Sequence, residues 1–199
     1  MHRPTLAVLL TLAAAPALAQ DRPPLTPTRD VTVTYRSIGS GVPAGMPPMT
    51  ISWLAAQGLM RNDMPGMGWV VADPRSGRAF MVMEQARAIM DVPMPPSVEQ
   101  QMNSPTVTFR REGSATVAGH ACTIWLMQDG PNQARSCITA EGVMLRAEGT
   151  HQGQTSGIEA TQVSFAAQDP ARFQRPQGYQ PMQVPPGLAP GAAPRQPTR

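Results

Sequence analysis

The chain has 199 residues, 41% of them hydrophobic, 15% charged and 5% aromatic, with 23 Pro, 17 Gly, 14 Met, 2 Cys and a net charge of +3. That length holds one domain with tails rather than two full domains. The charge content is well below the roughly 25% of an average soluble protein, but disorder combines low hydrophobicity with high net charge, and this chain does not. The Pro and Gly content argues against a helical bundle. All 16 basic residues are Arg, which excludes Schiff-base chemistry and a P-loop lysine.

In chain order, the first segment reads as an address. Met1-His2-Arg3 is a short positive start, Leu6 to Ala15 is apolar, and Ala17-Leu18-Ala19 fits small-x-small cleavage, so residues 1–19 are expected to be a secretory signal peptide. The apolar run is too short for a span, which needs about 20 residues, and no Cys follows the cut to carry a lipid. No later stretch is apolar enough to cross a bilayer, so the mature product is expected to be soluble and periplasmic. Cleavage removes Arg3 and leaves 15 Arg against 13 acidic residues. That balance is too weak for a nucleic-acid footprint, which needs a clustered basic patch.

Residues 20–29 are Pro-rich and are expected to form a loose leader. Residues 30–182 carry the periodic pattern of a single domain, and residues 183–199 read as a disordered Pro-rich tail. Within the domain, apolar and polar residues alternate at Val31–Tyr35, Ile51–Ala55, Thr106–Phe109, Val143–Ala147 and Glu159–Phe165. This is the period of a half-buried antiparallel strand. Turn residues separate the runs at Gln57-Gly58, Asp73–Gly77, Glu112-Gly113, Asp129–Asn132 and Glu141-Gly142. The connections are too short for parallel crossovers. The expectation is a mainly β fold of about ten strands in meander order. Helix candidates are few: Ser97–Met102 behind a Pro pair, a short turn near Asp169–Phe173, and Glu84–Met90, which is ambiguous between helix and hairpin.

Two Cys in an exported chain are expected to pair. Cys122 and Cys137 fall on successive strands. A two-residue Asp129-Gly130 turn would set them opposite each other, but Pro131 would then flank the turn without the N–H that closes a hairpin. A longer loop or a bulge fits better. The bridge reads as structural, because a redox pair usually has Cys-x-x-Cys spacing.

Three segments carry a resemblance: Val117-Ala118-Gly119-His120-Ala121-Cys122-Thr123-Ile124-Trp125, then Cys137-Ile138-Thr139-Ala140-Glu141-Gly142-Val143-Met144-Leu145-Arg146-Ala147, and Phe173-Gln174-Arg175-Pro176-Gln177-Gly178-Tyr179. Together they resemble an uncharacterised domain family of exported Gram-negative bacterial proteins, similar in outline to the periplasmic outer-membrane lipoprotein carriers. The resemblance implies a strongly curved antiparallel sheet, a half or nearly closed barrel, with one or two short helices on its concave side. In lipoprotein carriers that face holds acyl chains, so a lipid or an acylated protein is the implied partner.

The candidate sites follow from side-chain chemistry. His120 and His151 are the only histidines after cleavage, and no nucleophile, metalloprotease or nucleotide motif occurs, so no enzyme and no cofactor are expected. Trp53, Trp69, Trp125, Met60, Met81, Met83 and Leu145 are candidates to line an apolar cavity, with Arg61 or Arg146 at its rim facing an anionic head group. The leading expectation is a non-enzymatic module binding an apolar or amphiphilic ligand. The first alternative is a copper-binding protein, since thioethers select Cu(I). Its candidate ligands are Met46, Met49, Met64, Met67, His120 and His151. The second alternative is a structural or interaction domain without a small ligand.

Overall fold

The computed structural model describes residues 22–43, 45–94, 104–151 and 153–182. The signal segment, the helix expected at Ser97–Met102 and the tail 183–199 lie outside the described residues. Twelve strands form one sheet: β1 (Val31–Ile38), β2 (Met49–Leu54), β3 (Leu59–Met64), β4 (Gly68–Asp73), β5 (Arg78–Met83), β6 (Ala88–Pro93), β7 (Val107–Val117), β8 (His120–Asp129), β9 (Asn132–Ile138), β10 (Met144–His151), β11 (Gln154–Ser164) and β12 (Gln180–Met182). Their order is β12-β6-β5-β4-β3-β2-β1-β11-β10-β9-β8-β7, and the sheet is not closed.

This corrects the expected single meander of about ten strands. β1–β6 and β7–β11 are two separate meanders, sealed to each other by the antiparallel β1–β11 ladder. The physical gain is on β1. In a single meander it would be an edge, and an eight-residue Val/Thr/Tyr edge strand invites pairing with other chains. The expected helices on the concave side are also not found: the described residues contain no α-helix. Glu84–Met90 resolves as a hairpin, with Met83 opposite Ala88 and Arg87 at a φ of +46° in the turn. Near Asp169 there is one 3-10 turn, Pro170–Phe173, with the Asp169 carboxylate accepting from Ala171 N at 2.9 Å.

The turn chemistry of the β7–β8–β9 hairpins is local. Val117 pairs with His120 around Ala118-Gly119, both at positive φ, as a type I′ turn demands. In the next hairpin Asp129 pairs with Asn132, so the loop is Gly130-Pro131 rather than Asp129-Gly130. Gly130 supplies the positive φ of +57° and Pro131 the fixed negative one, while Asn132 keeps the N–H that closes the ladder. The register is therefore shifted by one residue on each strand. Cys137 lies opposite Ile124, and Cys122 bonds to it diagonally, with a Cα–Cα distance of 5.3 Å.

The C-terminal half curls. β7 and β11 are four ladder steps apart, which in a flat sheet is about 19 Å, yet they touch. The His120 ring also meets Phe165, just beyond β11, edge to face at 5.4 Å. The curl gathers one core from both halves: Val31, Val33 and Tyr35 of β1, Ala160 of β11, Leu145 of β10, Val143 and the two Cys. Residues 22–29, expected as a loose leader, are held against the sheet. Pro23 is buried, Thr28 N donates to Glu141 O at 2.9 Å, and Arg29 stacks on Phe165.

Candidate functional site

The ladder of β1–β6 sorts its side chains onto two faces. One face carries Leu54, Leu59, Arg61, Asp63, Trp69, Val71, Phe80 and Asp91, as the cross-strand pairs require. The chain beyond β11 crosses this face as a strap and ends as β12, parallel to β6. Phe173 of the strap is buried against Leu54 and Val71, and Trp69, Leu59 and Phe80 pack around it. Polar clamps hold the strap along its length. Gln168 N donates to Asp30 Oδ2 at 2.8 Å, Arg61 Nη1 donates to Arg172 O at 2.6 Å, and Arg175 pairs with Asp91 while stacking on Phe80 at 4.7 Å.

Between the strap and β3–β6 lies a cleft of about 870 Å³. Leu59, Val71, Phe80 and Phe173 give it an apolar floor, and Asp73, Arg78, Asp91 and Arg175 surround its mouth. The charges there are unevenly spent. Asp91 is paired with Arg175. Asp73 is bonded within its own turn. Desolvation opposes ionisation of its carboxyl, but hydrogen bonds from the Ser76 hydroxyl and from the Arg75 and Ser76 backbone N–H groups, together with the Arg75 charge, bring its pKa below the ordinary value. Arg78 has no carboxylate partner among the described residues, although it stands opposite Asp73 in the ladder. The cleft therefore presents apolar surface beside one uncommitted cation.

The other face of the same strands is richer in Met. Its rows read Ile51, Asn62, Val70, Met81, Met90 and Trp53, Met60, Ala72, Ala79, Val92. Trp53 Nε1 and Asn62 Oδ1 are buried there without a hydrogen-bond partner among the described residues. A third surface, a groove of about 560 Å³ across β9–β11, is lined by Met46, Met127 and Met144 over small residues such as Ala134, Ser136 and Gly149.

The candidate residues are thus divided rather than gathered. Trp53, Met60, Met81 and Met83 share the Met-rich face. Trp69 and Arg61 lie on the opposite face beneath the strap, because Met60 and Arg61 are neighbours on a strand and point to opposite sides. Arg61 is not a rim residue: it donates to Asp63 through Nε and Nη2 at 2.9 and 2.6 Å and stacks on Trp69 at 4.3 Å. Trp125, 2% exposed, and Leu145, 0% exposed, are packed in the curled half. Arg146 is committed to Glu148 and Glu159; its hydrogen bond to Glu148 leads the effects that raise its pKa.

The proposed metal ligands do not converge as a set either. Met46 and Met67 are 53% and 58% exposed in separate loops, His120 stacks on Phe165, and His151 ends β10. Among the described residues no group of three or more His, Cys, Asp or Glu is placed to hold a metal. The cleft was missed in the sequence because it exists only once residues 165–182 dock on strands a hundred positions earlier. The one local hint was the Phe173–Tyr179 segment.

An open sheet that curls in its C-terminal half agrees with the strongly curved sheet that the resemblance implied, although β12 joins it in parallel. Solved structures bear on this at the level of fold. MucB matches with a TM-score of 0.54 at 16% identity, over 78% of this chain and 60% of that chain. The complex of Pseudomonas aeruginosa MucA/MucB matches with the same TM-score at 19% identity, over 78% and 58%. The chain therefore spans about 60% of the length of these proteins or slightly less. A Mycobacterium tuberculosis lipoprotein, LppX, matches at a TM-score of 0.33 and 14% identity, over 67% and 85%, too distant a shape to argue from. No family model matches the sequence, and comparison with curated proteins gives no match.

Proposed function

We propose that the protein is an exported, periplasmic, non-enzymatic binding module whose ligand is an amphiphile with an anionic group, such as a lipid or the acyl part of a lipoprotein. The observation that carries this reading is the strap-side cleft: its volume of about 870 Å³ is in the range of ligand sites, its floor is apolar, and Arg78 stands uncommitted at its mouth. Removing the ligand's hydrocarbon from water supplies the affinity, at roughly 25 cal/mol per Å² of apolar area. Arg78 supplies orientation through a charge-assisted hydrogen bond. The signal-like first 19 residues and the oxidised Cys pair support export. MucB, which shares the fold, is found in complex with another protein, MucA, and this supports the wider class of binding module.

The test is lipid extraction from the purified protein followed by mass spectrometry, then titration with anionic and neutral amphiphiles of equal chain length. Arg78→Glu is expected to weaken the anionic ligand at least tenfold and leave the neutral one within about twofold, since the residue is exposed and unpaired. Repeated recovery of an empty protein that binds neither amphiphile would end this reading.

A further inference from the structure

The direction of β12 bears on the Pro-rich tail singled out in the sequence. β12 runs parallel to β6, with Gln180 opposite Ala88, Pro181 opposite Ile89 and Met182 opposite Met90. Each step along β12 therefore leads toward Asp91 and Val92, the next residues of β6, and both line the strap-side cleft. The chain beyond Met182 thus starts one residue from the edge of that cleft.

The sequence that follows fits the cleft in length and in chemistry. The cleft reaches from Leu59 on β3 to Val92 on β6, three strand spacings or about 14 Å. A polyproline II segment rises about 3.1 Å per residue, so about five residues cross it. Directly after Gln183 stand Val184-Pro185-Pro186-Gly187-Leu188. Val184, Leu188 and the Pro pair offer apolar surface to the floor of Leu59, Val71 and Phe80. The two Pro bring no N–H that would need a partner there, and their fixed φ lowers the ordering cost of docking. From Gln183 to Pro194 the sequence carries no charge, so docking takes none out of water. The tether makes the encounter intramolecular, at a roughly millimolar effective concentration for a short linker.

We propose that residues 184–188 dock in the strap-side cleft of their own chain and hold it against an external ligand. The competition rests on the amphiphile reading of that cleft, whereas the docking does not. The docking segment brings no carboxylate, so Arg78 stays free to draw in an anionic ligand that displaces the tail.

The test places a nitroxide on the tail of the full mature chain through Ala189→Cys. The two native Cys are bonded to each other, so the label attaches at that position alone. The amide signals of Gly77, Arg78 and Val92 should broaden, and those of Gly130 and Gly153, in hairpin turns of the other meander, should not. A Pro185→Gly/Pro186→Gly/Leu188→Ser change in the same chain should reduce that broadening at least fivefold. Without the label, this triple variant should bind the anionic amphiphile about fivefold more tightly or better, because the docked fraction no longer subtracts from the competent one. Docking is overturned by an absence of selective broadening, by broadening that survives the triple variant, or by broadening that appears only between labelled and unlabelled chains in a mixture. Equal amphiphile affinity in parent and triple variant overturns the competition. If the cleft amides broaden but neither protein binds an amphiphile, the docking is upheld and the amphiphile reading alone falls.

Discussion

Tyr35 shows how far a single residue can be read from a sequence, and where that reading stops. Its alternation with Val31 and Val33 marks a strand, and it is 5% exposed in the core, as that pattern implies. Its hydroxyl, however, donates to Met144 O at 2.7 Å, a bond across 109 positions that no local pattern announces. Burial raises its pKa well above the ordinary value of 10.0. A folded pKa above the unfolded one favours the neutral form. The stability this contributes is complete below about pH 10 and is lost as pH rises beyond it, because only the unfolded chain can ionise there. The chain has two Tyr. In a Tyr179→Phe variant, absorbance at 295 nm should therefore show no phenolate at pH 10 and should rise only together with alkaline unfolding. A separate phenolate transition in the folded protein would contradict this. The same limit applies to the candidate site. Residue type pointed to Arg61 and Arg146 as rim cations, but whether a guanidinium is free depends on carboxylates placed by pairing, and both are spent. Arg78, the uncommitted one, had no feature in the sequence to mark it.

At the scale of elements, β1, β2, β7, β10 and β11 were legible because alternation is a local property, whereas β3, half-buried along its whole length, shows none. The Gly130-Pro131 turn was legible only in part: Pro131 argued against the two-residue loop one position earlier, but the longer loop or bulge expected in its place is not found, because a two-residue loop shifted by one position puts Pro131 inside the turn. The strap was not legible. Residues 165–182 have no periodicity, and their place is fixed by clamps to Asp30, Asp63, Asp91 and the Phe173 pocket. Phe173 is the anchor, 3% exposed between Leu54 and Val71. Phe173→Ala should cost about 3 kcal/mol or more, the range for burying and then emptying an aromatic site. Hydrogen exchange should show the loss first in β12 and β6, which are tied by Gln180 N donating to Arg87 O at 2.8 Å. The salt bridges along the strap are exposed, and each contributes about 1 kcal/mol or less. Arg175→Ala should therefore do far less damage than Phe173→Ala, and the reverse order in denaturant melts would show that charge rather than burial holds the strap. At the opposite edge of the sheet, β7 is defended by Arg110, Arg111, Glu112 and a bulge at Gly113, features that discourage pairing with another chain.

For the whole molecule, the central question is whether two meanders make one folding unit. The sheet is continuous through the β1–β11 seam, and one core cluster takes residues from β1, β10, β11 and the disulfide, with Ile51 and Trp53 of β2 packed against it. Such a core has no plane along which the halves could part without exposing Val31, Val33 and Leu145. The disulfide lies wholly in the C-terminal meander and closes a loop with a sequence separation of 15. In the chain-entropy model it contributes about 3 kcal/mol. If the molecule is one unit, removing it must lower the stability of both halves equally. The three Trp make this measurable, since Trp53 and Trp69 lie in the first meander and Trp125 in the second. Single-Trp variants keeping only Trp69 or only Trp125 should melt at one shared midpoint. The Cys122→Ala/Cys137→Ala change should shift that midpoint down by about 6–12 °C in both, at the roughly 2–4 °C per kcal/mol of a chain this size. A fall seen by Trp125 but not by Trp69 would divide the sheet into two domains at the seam. It would also make the strap, which begins beyond β11 and closes the cleft over β3–β6, a contact between domains rather than part of one core.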